Sequence, residues 1–142
     1  MRVLDFSGFI GEKIKIVPLS DDDFEKISVD LDYRYYPETK KELQSIIKKR
    51  IREEGSGCNL NDINTSAITD MSNLFEYMYF FSGNISGWDV SQVRKMDYMF
   101  YNAASFDKDI SGWNVTNAFR PNNMFYACPL ETKIRKQPKF NG

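Results

Sequence analysis

Two stretches near the start of the chain alternate between apolar and polar residues. Residues 13–18 and residues 27–33 place apolar side chains at about every second position, and this period predicts a pair of short β-strands. We expect the pair to pack on the helix that follows. Three consecutive acids, Asp21 to Asp23, lie between the strands. They lack the spaced ligands and the glycine of a calcium loop, so we interpret them as a helix start or a loop.

The next pattern has the period of an amphipathic helix. Thr39 and Glu42 form a capping box, and Gly55 and Gly57 supply the stop. Apolar residues follow the i, i+3, i+4, i+8 spacing at Leu43, Ile46, Ile47 and Ile51. We therefore predict a helix over about residues 39–54 that covers the N-terminal end of the following structure. Its outer face carries bases that we interpret as a solvated surface rather than a nucleic-acid site, namely Lys40, Lys41, Lys48, Lys49, Arg50 and Arg52.

A repeat with a period of 25 residues occupies the rest of the chain. The run Ile85-Ser-Gly-Trp88 recurs as Ile110-Ser-Gly-Trp113 with no gap in the residues that follow. An earlier copy keeps the apolar positions alone, and the last copy is truncated, so three copies lie within residues 58–130. One copy cannot bury its own apolar side chains, which indicates that the copies stack.

The spacing inside each copy predicts its conformation. Ile85-x-x-Trp88-x-Val90 has the form of a short strand, and the apolar steps after Val90 have helical spacing. The predicted fold class is α/β, a short leucine-rich-repeat-like solenoid of about three repeats with parallel strands near 62–65, 87–90 and 112–115. A capping helix and a small N-terminal β element precede it. The stacked core should contain Trp88, Trp113, Met99, Met124, Phe100 and Phe125.

These patterns divide the chain into four parts. Residues 1–36 form a β-rich segment, 37–57 the capping helix, 58–130 the repeat solenoid and 131–142 a basic C-terminal tail. No apolar run reaches the length of a membrane span, and the first residues lack the unbroken apolar stretch of a signal peptide. As written, the sequence predicts a cytoplasmic protein.

Composition and charge exclude several classes of function. Lys and Arg total 19 against 20 Asp and Glu, a net charge of -1 that argues against a nucleic-acid partner. The chain has no histidine, and Cys58 and Cys128 alone cannot form a four-ligand metal site, so we expect no cofactor. A disulfide between the two cysteines stays open. Asp107 and Asp109 are the best acid pair, but solvation in a loop explains them, and we expect a protein that is not an enzyme.

The repeat also resembles a known family. The run Ile-Ser-Gly-Trp-Asp-Val-Ser, followed by the Val, Met, Met-Phe and Phe positions, is similar to the BspA-like leucine-rich-repeat proteins, which are bacterial surface proteins and lipoproteins. The segment from Tyr35 to Gly55 resembles the helix before the first repeat of that family. The resemblance covers about residues 35–130 and implies a binding or adhesion module at the cell surface. Arg120-Pro121 departs from the family pattern in the last copy, as a terminal repeat does.

Comparison of the copies predicts one binding surface. Residues that all copies share are explained by packing, whereas Tyr77, Tyr79 and Phe80 stand where the second copy has Asn102, Ala104 and Ser105. Together with Tyr98 and Tyr101 these residues form what we call the aromatic patch. Surplus aromatic residues are typical of protein interfaces. The alternative is that the patch packs against residues 1–36.

A second candidate surface is polar. Asn64, Asp89 and Asn114 occupy the outward position of each predicted strand and would form a polar ladder across the concave sheet. Support of the sheet by these side chains is the alternative interpretation.

Three functional hypotheses follow. The first is a protein-interaction module that binds a protein partner through the aromatic patch, the polar ladder or both. The second is an adhesin-like fragment that binds host protein or glycan. The third is a small cytosolic inhibitor, encoded by a mobile element or phage, that blocks a host defence complex. A homodimer through the open end of the solenoid is compatible with each of them.

Overall fold

The computed structural model describes residues 15–18, 27–30 and 33–141. Strand β1 (Lys15–Pro18) and strand β2 (Ile27–Asp30) pair antiparallel, which confirms the predicted two-stranded element. The interpretation of the Asp21–Asp23 cluster falls outside the described residues.

The predicted helix is confirmed as α1 (Lys40–Glu54). Thr39 is its N-cap, and the Thr39 hydroxyl accepts a hydrogen bond from the backbone N–H of Glu42 at 3.1 Å. The Glu42 carboxylate accepts in turn from the backbone N–H of Glu38. Gly55 ends the helix with a φ of +92°, a left-handed conformation that glycine adopts without strain. The buried side of α1 comprises Leu43, Ile46, Ile47 and Arg50.

The parallel strands predicted in the repeats are absent, and the predicted α/β solenoid with parallel strands is wrong. Within the described repeats the chain forms turns and loops, and Asn59–Asn84 and Asp70–Lys95 are isolated parallel bridges rather than a sheet. The Trp88 N–H donates to the Ile85 carbonyl at 3.2 Å. A hydrogen bond between residues three apart closes a turn, so the Ile-x-x-Trp spacing that looked like a strand belongs to a turn.

Asparagine and aspartate side chains explain why turns form instead of strands. The Asn84 Oδ1 atom accepts from both the backbone N–H and the hydroxyl of Ser86, at 3.1 and 2.8 Å. Such Asx turns offer the backbone an alternative to a strand. The same pair of bonds, to a Ser or Thr two residues on, is made by Asn64, Asp70, Asn84, Asp89, Asp109 and Asn114.

The 25-residue period is visible in the backbone. Positive φ values recur at Asn73, Tyr98 and Asn123, and again four residues later at Tyr77, Asn102 and Ala127. Neighbouring copies are joined by hydrogen bonds such as Phe75 N–H to Met99 O and Phe100 N–H to Met124 O, at 2.8 and 2.9 Å. Each copy therefore has the same bent path, and consecutive copies lie directly on one another.

Aromatic side chains form columns through this stack. Phe100 stacks between Phe75 and Phe125, with ring centroids 5.4 and 5.7 Å away, and all three rings are nearly parallel. The predicted core residues Trp88 and Trp113 are 4 % and 5 % exposed, and their rings are parallel with centroids 6.5 Å apart. Stacked rings at one position of every copy give the structure a continuous core without a sheet.

Helix α1 covers the first copy. Arg50 lies underneath it at 4 % exposure, although the sequence placed this residue on the solvated face. Its guanidinium donates to both oxygens of Asp62 at 2.7 and 2.8 Å, to the Asn59 carbonyl at 3.0 Å and to the Glu54 carboxylate. A buried cation is tolerated when its donors are satisfied in this way.

The C-terminal segment covers the last copy. It contains two 3₁₀ turns, Pro129–Glu131 and Ile134–Lys136. Lys133 and Lys136 both bind the Asp107 carboxylate, at 2.6 and 3.0 Å, and Phe140 packs against the core. In the part of the chain that the structure describes, no helix has the length and apolar character needed to span a membrane.

Candidate functional site

The aromatic patch lies on the surface of the first two copies. Phe80 is 79 % exposed, and Tyr77 and Tyr79 are 51 % and 52 % exposed. Tyr98 is also exposed, and Tyr101 is half-buried. The sequence comparison therefore selected residues that lie at the surface, and their role in binding stays a prediction.

A groove separates the patch from helix α1. Ile51 and Met78 form its apolar floor, and Tyr79 and Phe80 form one wall. Lys48 and Arg52 stand on the helix side, and no Asp or Glu lines this groove of about 360 Å³. The groove thus offers an apolar surface with a cationic edge.

A second concavity, the tyrosine cavity, lies on the other side of Tyr77. It has a volume of about 280 Å³ and is lined by Asn73, Glu76, Tyr77, Tyr98 and Tyr101. Tyr101 makes edge contacts with both other rings, at 5.7 Å to Tyr77 and 5.5 Å to Tyr98. The Glu76 carboxylate accepts a hydrogen bond from the Asn73 side-chain amide. Glu76 was not among the residues selected from the sequence, and the signal for it is that Tyr101 and Tyr126 occupy its position in the later copies.

Charge and burial both act on Tyr101. Loss of solvation raises the pKa of its hydroxyl, and the neighbouring tyrosines and Glu76 raise this pKa further. These groups disfavour an additional negative charge in the cavity, and the same surroundings favour a cation.

The predicted polar ladder has a structural role. Asn64, Asp89 and Asn114 each use Oδ1 to hold a turn, as described above, rather than projecting from strands. Hydrogen bonds from the Ser91 hydroxyl and backbone lower the pKa of Asp89. The three side chains are partly or fully exposed, so their contact with a partner stays a prediction.

Three of the six bases predicted on the outer face of α1 are engaged within the protein. Arg50 is buried, Lys40 donates to Asp70 and Ser72, and the Lys49 ammonium lies 5.8 Å from the centre of the Tyr35 ring. Lys41, Lys48 and Arg52 make no hydrogen bond or ion pair with another described residue. The free charge on this helix is therefore concentrated beside the groove.

The acidic pair and the thiols are occupied by packing. Hydrogen bonds from Lys133 and Lys136 lower the pKa of Asp107, and Ser111 does the same for Asp109. Cys58 and Cys128 are free and buried, and burial raises the pKa of Cys128 to about 11. Among the described residues, no group of three His, Cys, Asp or Glu could hold a metal ion.

Three exposed apolar residues were missed from the sequence. Tyr126 stacks on Tyr101 with centroids 5.0 Å apart and extends the row of tyrosines, while Phe119 and Ile134 stand apart from the patch. Tyr126 lies 25 residues after Tyr101, so the repeat itself would have found it.

These features define a protein made of turn-rich repeats of 25 residues that present exposed tyrosines beside a helix. The chain belongs to the family described as Mycoplasma protein of unknown function, DUF285, whose model matches residues 42–137. The match runs from the first turn of α1 to the segment that covers the last copy. No curated protein and no solved structure matches the chain.

Proposed function

We propose that this protein is a non-enzymatic interaction module that binds a partner protein through the aromatic patch. The observation that carries the proposal is the exposure of three neighbouring large rings, up to 79 % at Phe80, at positions where the second copy has small or polar residues. Exposure of Tyr77, Tyr79 and Phe80 to water brings no folding energy, because hydrophobic stabilisation requires burial. A partner that covers these rings would supply that burial.

The groove beside the patch indicates the chemistry of the partner. Its apolar floor suits apolar side chains, and Lys48 and Arg52 suit carboxylates at the rim. Exposed cations mainly raise the rate of association and are screened by salt, whereas buried aromatic residues carry the affinity. We expect the partner to present an apolar segment with acidic residues on the side that faces α1.

The experiment uses the second copy as the source of replacements. A variant with Tyr77→Asn, Tyr79→Ala and Phe80→Ser carries the residues of Asn102, Ala104 and Ser105, and so keeps a sequence that the repeat already accommodates. The wild-type chain and this variant are used as baits in native lysate, with captured proteins identified by mass spectrometry. Phe119→Ser is the matched control, because Phe119 is 65 % exposed and lies outside the patch.

A partner captured by the wild type and by the Phe119→Ser control, and lost with the triple variant, supports the proposal. The thermal midpoint of the triple variant must stay close to that of the wild type. If the triple variant melts early, the rings are internal packing, and if it captures the same proteins as the wild type, the aromatic patch is not the binding surface.

A further inference from the structure

Two tyrosines of the tyrosine cavity have a backbone conformation that their side chains disfavour. Tyr77 and Tyr98 have φ values of +60° and +56°. The left-handed conformation costs L-residues roughly 1–2 kcal/mol, and asparagine adopts it more readily than tyrosine. Asn102 and Asn73 occupy the equivalent positions in neighbouring copies with the same conformation. The chain therefore has tyrosine at two positions where its own repeat shows that asparagine fits.

Folding does not explain this choice, because both rings are exposed. Strained residues that bring no packing are concentrated at functional sites. The strain at Tyr77 and Tyr98 has one visible structural result, which is that both rings contact Tyr101 and line the same cavity. The cavity is thus built at the expense of local backbone energy.

The lining of the cavity selects for a cation. Tyrosine rings carry negative charge on their faces and attract cations within about 6 Å. Glu76 is the one ionised group that lines the cavity, and its Oε2 atom is held by the Asn73 amide while Oε1 has no donor among the described residues. Several tyrosine rings together with one carboxylate form a site that attracts positive charge.

Among the cations of proteins, guanidinium matches this lining best. It is planar, it stacks on aromatic rings and it donates hydrogen bonds to a carboxylate, whereas the lysine ammonium is a compact and strongly hydrated point charge. A quaternary ammonium would use the rings but could donate nothing to Glu76 Oε1. We infer that the tyrosine cavity binds an arginine side chain of the partner protein, an inference that rests on the proposed function and names what the partner contributes there.

The test measures binding of arginine itself, without the natural partner. The probe is the peptide acetyl-Gly-Gly-Arg-Gly-Gly-amide, titrated into the full chain while the tyrosine ring resonances are followed by NMR. The same peptide with citrulline, which is neutral and has nearly the same shape, is the matched control, and tetramethylammonium chloride is the second control. We expect saturable shifts of the Tyr77, Tyr98 and Tyr101 rings with the arginine peptide alone.

Variants of the chain then locate the site. Glu76→Gln should weaken the arginine peptide about fivefold or more, because a hydrogen bond to a charged acceptor is replaced by one to a neutral acceptor. Tyr98→Asn, which copies Asn73, should weaken it to a similar degree. Tyr79→Ala should bind the peptide as the wild type does, because Tyr79 does not line this cavity.

Several results would overturn the inference. Equal binding of the arginine and citrulline peptides would show that charge is not recognised, and equal or tighter binding of tetramethylammonium would reassign the cavity to quaternary ammonium groups. Absence of saturable shifts, or wild-type affinity in Glu76→Gln, would also overturn it. The proposed function fails separately, because capture of a partner that depends on Phe80 is measured without reference to the cavity.

Discussion

The indole N–H of Trp88 donates a hydrogen bond of 2.9 Å to the backbone carbonyl of Leu60, a residue of the preceding copy. Trp113 repeats the contact with the carbonyl of Ile85 at 3.1 Å, again 28 residues earlier. Each tryptophan thus joins its own copy to the one before it by a polar bond as well as by burial. The Ile-Ser-Gly-Trp run is identical in two copies, and these paired contacts explain its tryptophan.

Replacing either tryptophan should test how far the copies depend on one another. Trp88→Ala removes a buried ring and should cost about 3–5 kcal/mol, against a total stability of about 5–15 kcal/mol for a domain. Chemical denaturation followed by circular dichroism measures the loss, and Trp113→Ala should show a similar value. A loss below about 1 kcal/mol would mean that the ring is not part of the core.

Elements that depend on neighbouring residues could be predicted from the sequence. The capping residue Thr39 and the stop at Gly55 act within α1 itself, so the predicted helix of about 39–54 and the observed Lys40–Glu54 agree. Arg50 shows where this reasoning failed. It lies seven residues after Leu43, on the apolar side of the helix, but its charge suggested solvent, and its partner Asp62 is distant in sequence.

The repeats were harder to predict because one spacing fits two conformations. Apolar residues at Ile85, Trp88 and Val90 suit a strand as well as a series of turns. The polar residues between them decide, since Asn84 and Asp89 are each followed two residues later by a serine that their side chains bind. This recurring Asx-x-Ser pattern was present in the sequence and predicts turns.

The binding surface divides in the same way. The exposure of Tyr77, Tyr79 and Phe80 could be predicted, because the second copy shows that packing does not require rings there. The cavity around Glu76 could not be predicted, because it depends on the left-handed backbone at Tyr98, which sequence spacing does not reveal.

Gly83 should be the glycine of the repeats that tolerates substitution least. A Cβ atom at this position would lie 2.5 Å from the Cys58 carbonyl oxygen and 2.6 Å from the Phe81 ring, so the backbone would have to move. Gly83→Ala should therefore cost about 1–3 kcal/mol, as overpacking does. Gly112→Ala is the control, because nothing lies within 4 Å of a Cβ there. Equal thermal midpoints for the two variants would contradict the close contact.

The ion pairs of Asp107 predict a specific loss of stability in acid. Lys133 and Lys136 lower the pKa of this carboxyl below its ordinary value of 3.8. A group whose pKa is lower in the folded state stabilises the fold above its unfolded pKa, and this contribution disappears as the pH falls through the folded pKa. Asp107→Asn should therefore be less stable than the wild type at neutral pH, by up to about 1 kcal/mol for each exposed pair.

Urea denaturation at neutral pH and at about pH 2 measures this difference, which should shrink to nearly zero in acid because the wild-type carboxyl is then protonated. Glu53→Gln, an exposed carboxyl on α1, controls for the general change in charge. A difference between wild type and Asp107→Asn that stays constant with pH would show that the contacts of Asp107 do not depend on its charge.

The left-handed tyrosines lead to the most informative stability measurement. Tyr77 and Tyr79 are almost equally exposed, at 51 % and 52 %, but Tyr77 alone of the two has a positive φ. Tyr77→Asn relieves strain of roughly 1 kcal/mol and loses one edge contact with Tyr101 that is worth about 0.5–1.5 kcal/mol at most. Tyr79→Asn loses a comparable exposed ring and gains no relief.

We therefore expect the free energy of unfolding of Tyr77→Asn to be close to that of the wild type and higher than that of Tyr79→Asn. Tyr98→Asn should behave as Tyr77→Asn does, since it makes the same exchange at the other left-handed position. If both left-handed variants are instead clearly less stable than Tyr79→Asn, then Tyr77 and Tyr98 serve folding through their contacts with Tyr101. The argument that their strain marks a binding site would then be lost, because the rings would be explained by the stability they provide.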